Sequence, residues 1–261
     1  MDVAKPIVEY LTIAKGQELD NDVLNTLVTG YSRYDTADRS SSVDAAVSCY
    51  QQLVERGGKL KHTNAVAFLH ALRAGKDHRL MKSVIDNLQP PVPSPPILKI
   101  IIKYQSDIGR FNSAKKAIQA LLPFGPRYDT ALAPFVRCTA HEGAIDAAKE
   151  VLESVAEHWR PTGRLVEPLF NRFIRRRELS EADAILERLT QEWRGVMTAA
   201  SLRRAIPVYE ECNAEASRIA ELKQMLATAV QVEEAEQQRL AQQKRPKTHK
   251  ARVPPQKRSH Q

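Results

Sequence analysis

Apolar residues along most of this chain return every three or four positions. Ile145, Ala148, Val151, Leu152 and Val155 form one such stripe, and Leu179, Ala182, Ile185, Leu186 and Leu189 form another, 34 residues on. That is the period of a helix with one buried face, and no run alternates convincingly at the two-residue period of a half-buried strand. Prolines fall between the stripes: Pro90, Pro91, Pro93, Pro95 and Pro96, then Pro123 and Pro126, then Pro161. They mark helix boundaries. Pro134, Pro168 and Pro207 are expected early in helices, where a missing N–H is tolerated.

The step of 34 recurs along the chain. Ala46, Leu80, Ala114, Ala148, Ala182 and Ala216 occupy one equivalent helical position, five of the six being alanine, as close helix approach would require. Gly75, Gly109 and Gly143 keep the same step, where a tight turn between helices favours a residue tolerant of positive φ. Arg177 and Glu211 stand at the next two steps. A constant step of this length is the pattern of a stacked two-helix unit, because each hairpin buries its apolar face only against its neighbours. The fold expected is all-α, an α-solenoid of about six helical hairpins over residues 21–230. Residues 1–20 would supply a partial repeat, with Pro6–Lys15 as a second helix lacking its first. Residues 231–261 would form a polar helical extension and a basic tail. Arg33–Ser42 carries about six residues more than the period allows and is expected to be a surface loop, a tolerated insertion.

Composition narrows the function. The 43% hydrophobic content supports a core, and the 6% aromatic content suits packing through Leu, Ile, Val and Ala. The densest apolar run, Ile97–Tyr104, is interrupted by Lys99 and Lys103, so no membrane span is expected. Cys49, Cys138 and Cys212 are an odd number without a CxxC pair and read as free thiols in a reducing compartment. The net charge of +8 is unevenly placed. Arg239, Lys244, Arg245, Lys247, Lys250, Arg252, Lys257 and Arg258 supply eight of the 39 basic residues, leaving 31 basic against 31 acidic over residues 1–238. A proline-containing basic end of this kind cannot bury enough apolar surface to order itself, and it suits salt-sensitive binding to RNA phosphates; a solubilising terminus is the alternative.

Catalytic and metal motifs are missing. Ala74-Gly-Lys-Asp77 lacks the glycine and hydroxyl of a phosphate loop, and His141-Glu142 is not followed by a second histidine. His62, His70 and His78 lie eight apart, about 80° round a helix at each step, with no cysteine beside them. No nucleophile elbow appears. The chain is expected to be no enzyme, with no metal, no cofactor and no small-molecule substrate.

Asp22–Arg33 with Val43–Lys61 resembles the pentatricopeptide repeat. Val23-x-Asn25-Thr-Leu-Val28, one residue shorter between valine and asparagine, stands where that family has a valine-x-tyrosine-asparagine-threonine-leucine-isoleucine pattern, and Asp44-Ala-Ala-Val47 stands for its aspartate-glutamate-alanine-leucine. Leu24 replaces the tyrosine, and the later repeats are degenerate. The tetratricopeptide repeat, which binds proteins, is the near competitor and has a period of 34. Either resemblance implies a right-handed solenoid. The pentatricopeptide one further implies RNA as partner, and a mitochondrial or plastid setting. Asp2, Glu9, Glu18, Asp20 and Asp22 make the first 22 residues too acidic for an intact transit peptide.

In that family the position of Asn25 selects a base. Here its successors are Ala65, Lys99, Ala133, Glu167 and Ser201, so sequence-specific readout looks lost; Asn25 alone, with Ser201 weakly, could touch a base edge. Lys103, Arg137, Arg172, Arg175, Arg176, Arg177, Arg203 and Arg204 lie on first helices and could grip RNA backbone, unless Glu178, Glu181 and Asp183 simply balance them. Trp159 and Trp193, 34 apart, are expected to pack between repeats. The reading is an RNA-associated scaffold of a large ribonucleoprotein, a mitochondrial ribosome by resemblance. An organellar RNA-maturation factor and a protein-binding adaptor are the alternatives.

Overall fold

The computed structural model describes residues 19–33, 39–89, 93–193 and 196–243. Twelve helices lie among them: α1 Asn21–Arg33, α2 Arg39–Glu55, α3 His62–Ala74, α4 His78–Asp86, α5 Pro95–Asp107, α6 Phe111–Leu121, α7 Asp129–Glu142, α8 Ile145–Ala156, α9 Gly163–Arg176, α10 Leu179–Gln191, α11 Ala199–Glu211 and α12 Ala216–Gln243. Three helix starts carry side-chain oxygen caps. Asp20 accepts from the Val23 amide at 2.7 Å, Asp77 from Leu80 at 3.0 Å and Thr198 from Ser201 at 3.3 Å. Pro95 opens α5, where proline needs no partner.

The chain divides into two compact units after Arg172, inside α9. Within residues 19–172, α1 packs on α2, α3 on α4, α5 on α6 and α7 on α8, while the first helices α1, α3, α5 and α7 lie each against the next. Leu24, Val28, Phe68, Leu69, Leu72, Ile97 and Ile100 fill the interior between them. Two two-residue strands, β1 Leu60–Lys61 and β2 Leu88–Gln89, pair in parallel, so the linkers before α3 and α5 run side by side. Within residues 173–243, α11 packs on α12, and Ala182, Ile185, Leu186, Leu202, Tyr209 and Leu222 are buried.

The repeat step recurs as spatial neighbourhood. Side-chain bonds join Asn25 to Lys59, Tyr50 to Ser83, Arg73 to Asp107, Lys115 to Glu150, Asp129 to Thr162, Arg177 to Glu211, Asp183 to Arg218 and the Ala199 amide to Glu233. Each pair lies 33 to 35 residues apart. Ala46, Ala114, Ala148 and Ala182 are fully buried, whereas Leu80 is half-buried and Ala216 is exposed at the first turn of α12.

The turns keep one geometry with changing residues. Hairpins α3–α4, α5–α6, α7–α8, α9–α10 and α11–α12 close through a backbone bond to the carbonyl five residues back: Asp77 to Leu72, Arg110 to Gln105, Ala144 to Thr139, Glu178 to Phe173 and Ala214 to Tyr209. In each the preceding residue is left-handed: Lys76, Gly109, Gly143, Arg177 and Asn213. Gly75 itself has φ −79°, so glycine is needed at only two of its three expected positions. Elsewhere a long side chain accepts the αL cost, and at the last turn the left-handed residue is Asn213 rather than Glu211.

Several expectations are corrected. Arg33 ends α1 and Arg39–Ser42 is helical and opens α2, while residues 34–38 lie outside the described residues. Pro134, Pro168 and Pro207 stand in the middle of α7, α9 and α11 rather than in a first turn. Each withholds one bond from the carbonyl four residues back. The polar extension is helical over its described part, where it continues α12, 28 residues and about 42 Å long. The proposed partial repeat helix at Pro6–Lys15 lies outside the described residues.

Candidate nucleic-acid interface

Asn25, the one strong candidate for a base contact, is turned to the chain itself. It is only 2% exposed. Its Nδ2 donates to the Asn21 and Lys59 carbonyls at 2.9 and 3.2 Å, and its Oδ1 accepts from the Lys61 amide at 2.9 Å. The carboxamide thereby clamps the extended linker that precedes α3, and no edge is left for a base. This corrects Asn25 as a base-contacting residue. Ser201 is fully buried as well. Ala65 is a buried filler, Ala133 and Glu167 are half-buried, and Lys99 is exposed. Lys99 places its Nζ 4.9 Å from the centre of the Tyr128 ring. At two of the six steps, then, this position contacts the linker that follows its own hairpin.

The basic residues of first helices fare differently from one another. In the first unit Lys103 is half-buried on α5, and Arg137 is exposed on α7. Both bear on Cys138, whose thiol is nonetheless pushed up, by burial first and by Asp107 next. Burial, then Arg73 and Lys103, hold the His70 imidazole below its usual value, so its neutral form is favoured. Arg172 is half-buried beside the Gly143 turn, with its Nε enclosed and unbonded.

In the second unit Arg175, Arg176 and Arg177 are exposed at the end of α9. Arg176 lies 3.7 Å from Glu178, and Arg177 pairs with Glu211 at 2.8 Å. The expected balance by Asp183 does not occur, since Asp183 accepts from Tyr209 at 2.7 Å and from Arg218 at 2.8 Å. Arg203 is exposed, and Arg204 bonds the Ala200 carbonyl and Ser201. Arg239 is exposed near the end of α12. Lys244, Arg245, Lys247, Lys250, Arg252, Lys257 and Arg258 lie outside the described residues.

The two tryptophans follow their second helices rather than closing them. Trp159 donates its indole N–H to Asp129 at 3.2 Å, and Asp129 also accepts from Thr162. A buried carboxylate thus ties the start of α7 to the approach to α9. Trp193 is buried beneath the Arg188 guanidinium, 4.5 Å from its ring centre. Trp193 is thus buried, whereas Trp159 is half-buried and fixed by its N–H bond.

Sequence reasoning passed over two features. Residues 93–177 hold fourteen basic and eight acidic residues, whereas residues 178–238 hold six basic and twelve acidic, so the neutral total conceals opposite excesses of six. A running charge count would have found this. The second is Phe124-Gly-Pro-Arg-Tyr128, two aromatics flanking an arginine in a proline–glycine linker. Among the described residues there is no group of three or more His, Cys, Asp or Glu placed to hold a metal ion, and no helix is long and apolar enough to cross a membrane. No family model and no curated protein matches the chain.

Proposed function

We propose that this chain is a non-catalytic, RNA-associated scaffold, a structural or assembly component of a large ribonucleoprotein. The setting we propose is a mitochondrial ribosome, which the pentatricopeptide resemblance suggests. The observation that carries the reading is the ladder of bonds between residues one repeat step apart. Within each unit it supports the joining of successive hairpins, and the form we propose from it is a solenoid, which offers long surfaces rather than a closed pocket. At four of its six steps the position that would select bases is buried or turned to the chain's own linker, which favours recognition by shape and phosphate over sequence. Cationic side chains exposed over residues 93–177, together with the basic end beyond Arg239, would supply the phosphate contacts. Burial pushes the Cys49 and Cys138 thiols up, which makes them poor nucleophiles and suits a non-catalytic role.

A protein-binding adaptor of the tetratricopeptide kind is the second reading. It is favoured by the step of 34 and by a groove of about 410 Å³ floored by Val43, Val47, Ala71 and Leu72. Sucrose-gradient sedimentation of the tagged protein from lysate, with and without gentle ribonuclease, separates the two. Migration with a ribosomal subunit that collapses on digestion is expected. A small complex indifferent to ribonuclease would leave the adaptor in front.

A further inference from the structure

Phe124 is 44% exposed, and no other Phe, Tyr or Trp ring among the described residues is as open. It sits in a short linker between α6 and α7 made of two single 3₁₀ turns, Leu122–Phe124 and Pro126–Tyr128. Gly125 joins them at φ +89°, a conformation an L side chain would strain. Two prolines and this one hinge residue fix the linker, so the ring is held out by a stiff backbone. The Tyr128 ring meets Phe124 edge-on at 6.3 Å. Two cations converge on Tyr128: Lys99 Nζ at 4.9 Å and the Arg127 guanidinium at 4.8 Å from its centre.

Neither Lys99 nor Arg127 has a carboxylate partner among the described residues. The nearest carboxylate in sequence, Asp129, is buried and committed to Trp159 and Thr162. Two positive charges held at one ring without a counter-ion leave an uncompensated positive potential, which an anion bound beside them would relieve. Beside them stands an apolar ring with an open face. A flat π-surface next to uncompensated positive charge matches one ligand chemistry closely, a nucleobase attached to its phosphate.

We propose that Phe124, Tyr128, Lys99 and Arg127 form a platform for one unpaired RNA nucleotide, such as a looped or bulged base. The base stacks on Phe124 and the adjoining phosphate is held by Lys99 and Arg127. Every base has a π-face, so the platform captures unpaired bases without choosing among them. This rests on the RNA-associated reading above and places a contact in the first unit, independent of the basic end.

The test uses the full chain, a short oligouridine carrying 4-thiouridine, and the same sequence paired in a duplex. Photo-crosslinking is expected at the 122–128 linker. Phe124→Ala should weaken single-strand binding about ten-fold while leaving duplex binding unchanged. Phe124→Trp should restore it, and Phe124→Leu should not. Lys99→Ala and Arg127→Ala should each lower the salt slope by about one, whereas Phe124→Ala leaves the slope as it was. Crosslinks confined to residues 239–261, with Phe124→Ala binding like wild type, would overturn the platform and leave the RNA reading standing. Binding of neither RNA by the wild type would overturn both. A glutamate-rich peptide that binds through Lys99 and Arg127, indifferent to Phe124, would reassign the patch to an acidic protein segment.

Discussion

The first and last parts of the described chain join successive hairpins with opposite chemistry. At Asn25 the joint is neutral: one buried carboxamide bonds the Lys59 carbonyl and the Lys61 amide. At Asp183 it is charged. One carboxylate on α10 takes the Tyr209 hydroxyl from α11 and the Arg218 guanidinium from α12, and Arg218 reaches Glu221 at 2.6 Å as well. The neutral joint fixes backbone and has no titratable member. The charged joint fixes side chains and carries a dependence on pH. Successive hairpins can thus be joined either way, and the two solutions fail under different conditions.

The largest expected effect breaks the neutral joint. Asn25→Leu keeps the volume but strands the Lys61 amide and the Lys59 carbonyl, at a cost of about 3 kcal/mol. Urea denaturation checks it. A loss below about 1 kcal/mol would mean that pairing of Leu60 with Leu88 already holds the linker. Next, Arg218→Ala leaves Asp183 with Tyr209 alone and should cost about 2 kcal/mol, less than a fully buried pair because both side chains keep some exposure. Adding Asp183→Ala should cost much less than in the wild-type background, and a fully additive double mutant would show that the two residues do not act as one unit.

Tyr209→Phe should cost about 1 kcal/mol at neutral pH. Its pH dependence sharpens the contrast. Burial, then the bond to Asp183, push the Tyr209 hydroxyl well above its usual value. Above about pH 10 the unfolded chain has therefore released a proton that the folded chain retains, and stability falls as pH rises. Thermal melts of Tyr209→Phe should lose that alkaline decline, and an unchanged decline would assign it elsewhere. The smallest effect is acidic. The His70 value is lowered in the fold, so its contribution is present above about pH 6.5 and fades below it. His70→Asn should flatten the slope of melting temperature there, and an identical slope would remove His70 as its source.

Much of the fold was legible in the sequence because helical period and repeat step are written in residue type. The stripes at Ile145–Val155 and Leu179–Leu189 fall on α8 and α10, and four of the six small-residue positions are fully buried. What stayed illegible depends on backbone that any residue can adopt. Nothing in Lys76 or Arg177 announces a left-handed turn, and nothing in Pro207 announces a proline inside α11. The candidate interface was less legible still. Asn25 reads as a base contact until the Lys59–Lys61 linker is seen bonded to it, and Lys99 reads as a lost position until Tyr128 is seen under it. In both cases the partner comes from a linker, where no periodicity reports which side chain turns inward.

The bonds that tie one hairpin to the next have a consequence in time. The side-chain links described above span no more than about one repeat step, the longest among them 36 residues. None of them waits for a distant part of the chain. During synthesis α1 and α2 can be locked by the arrival of Lys59–Lys61, long before Tyr209 or Arg218 has been made, so the molecule can be finished in the order in which it is read out.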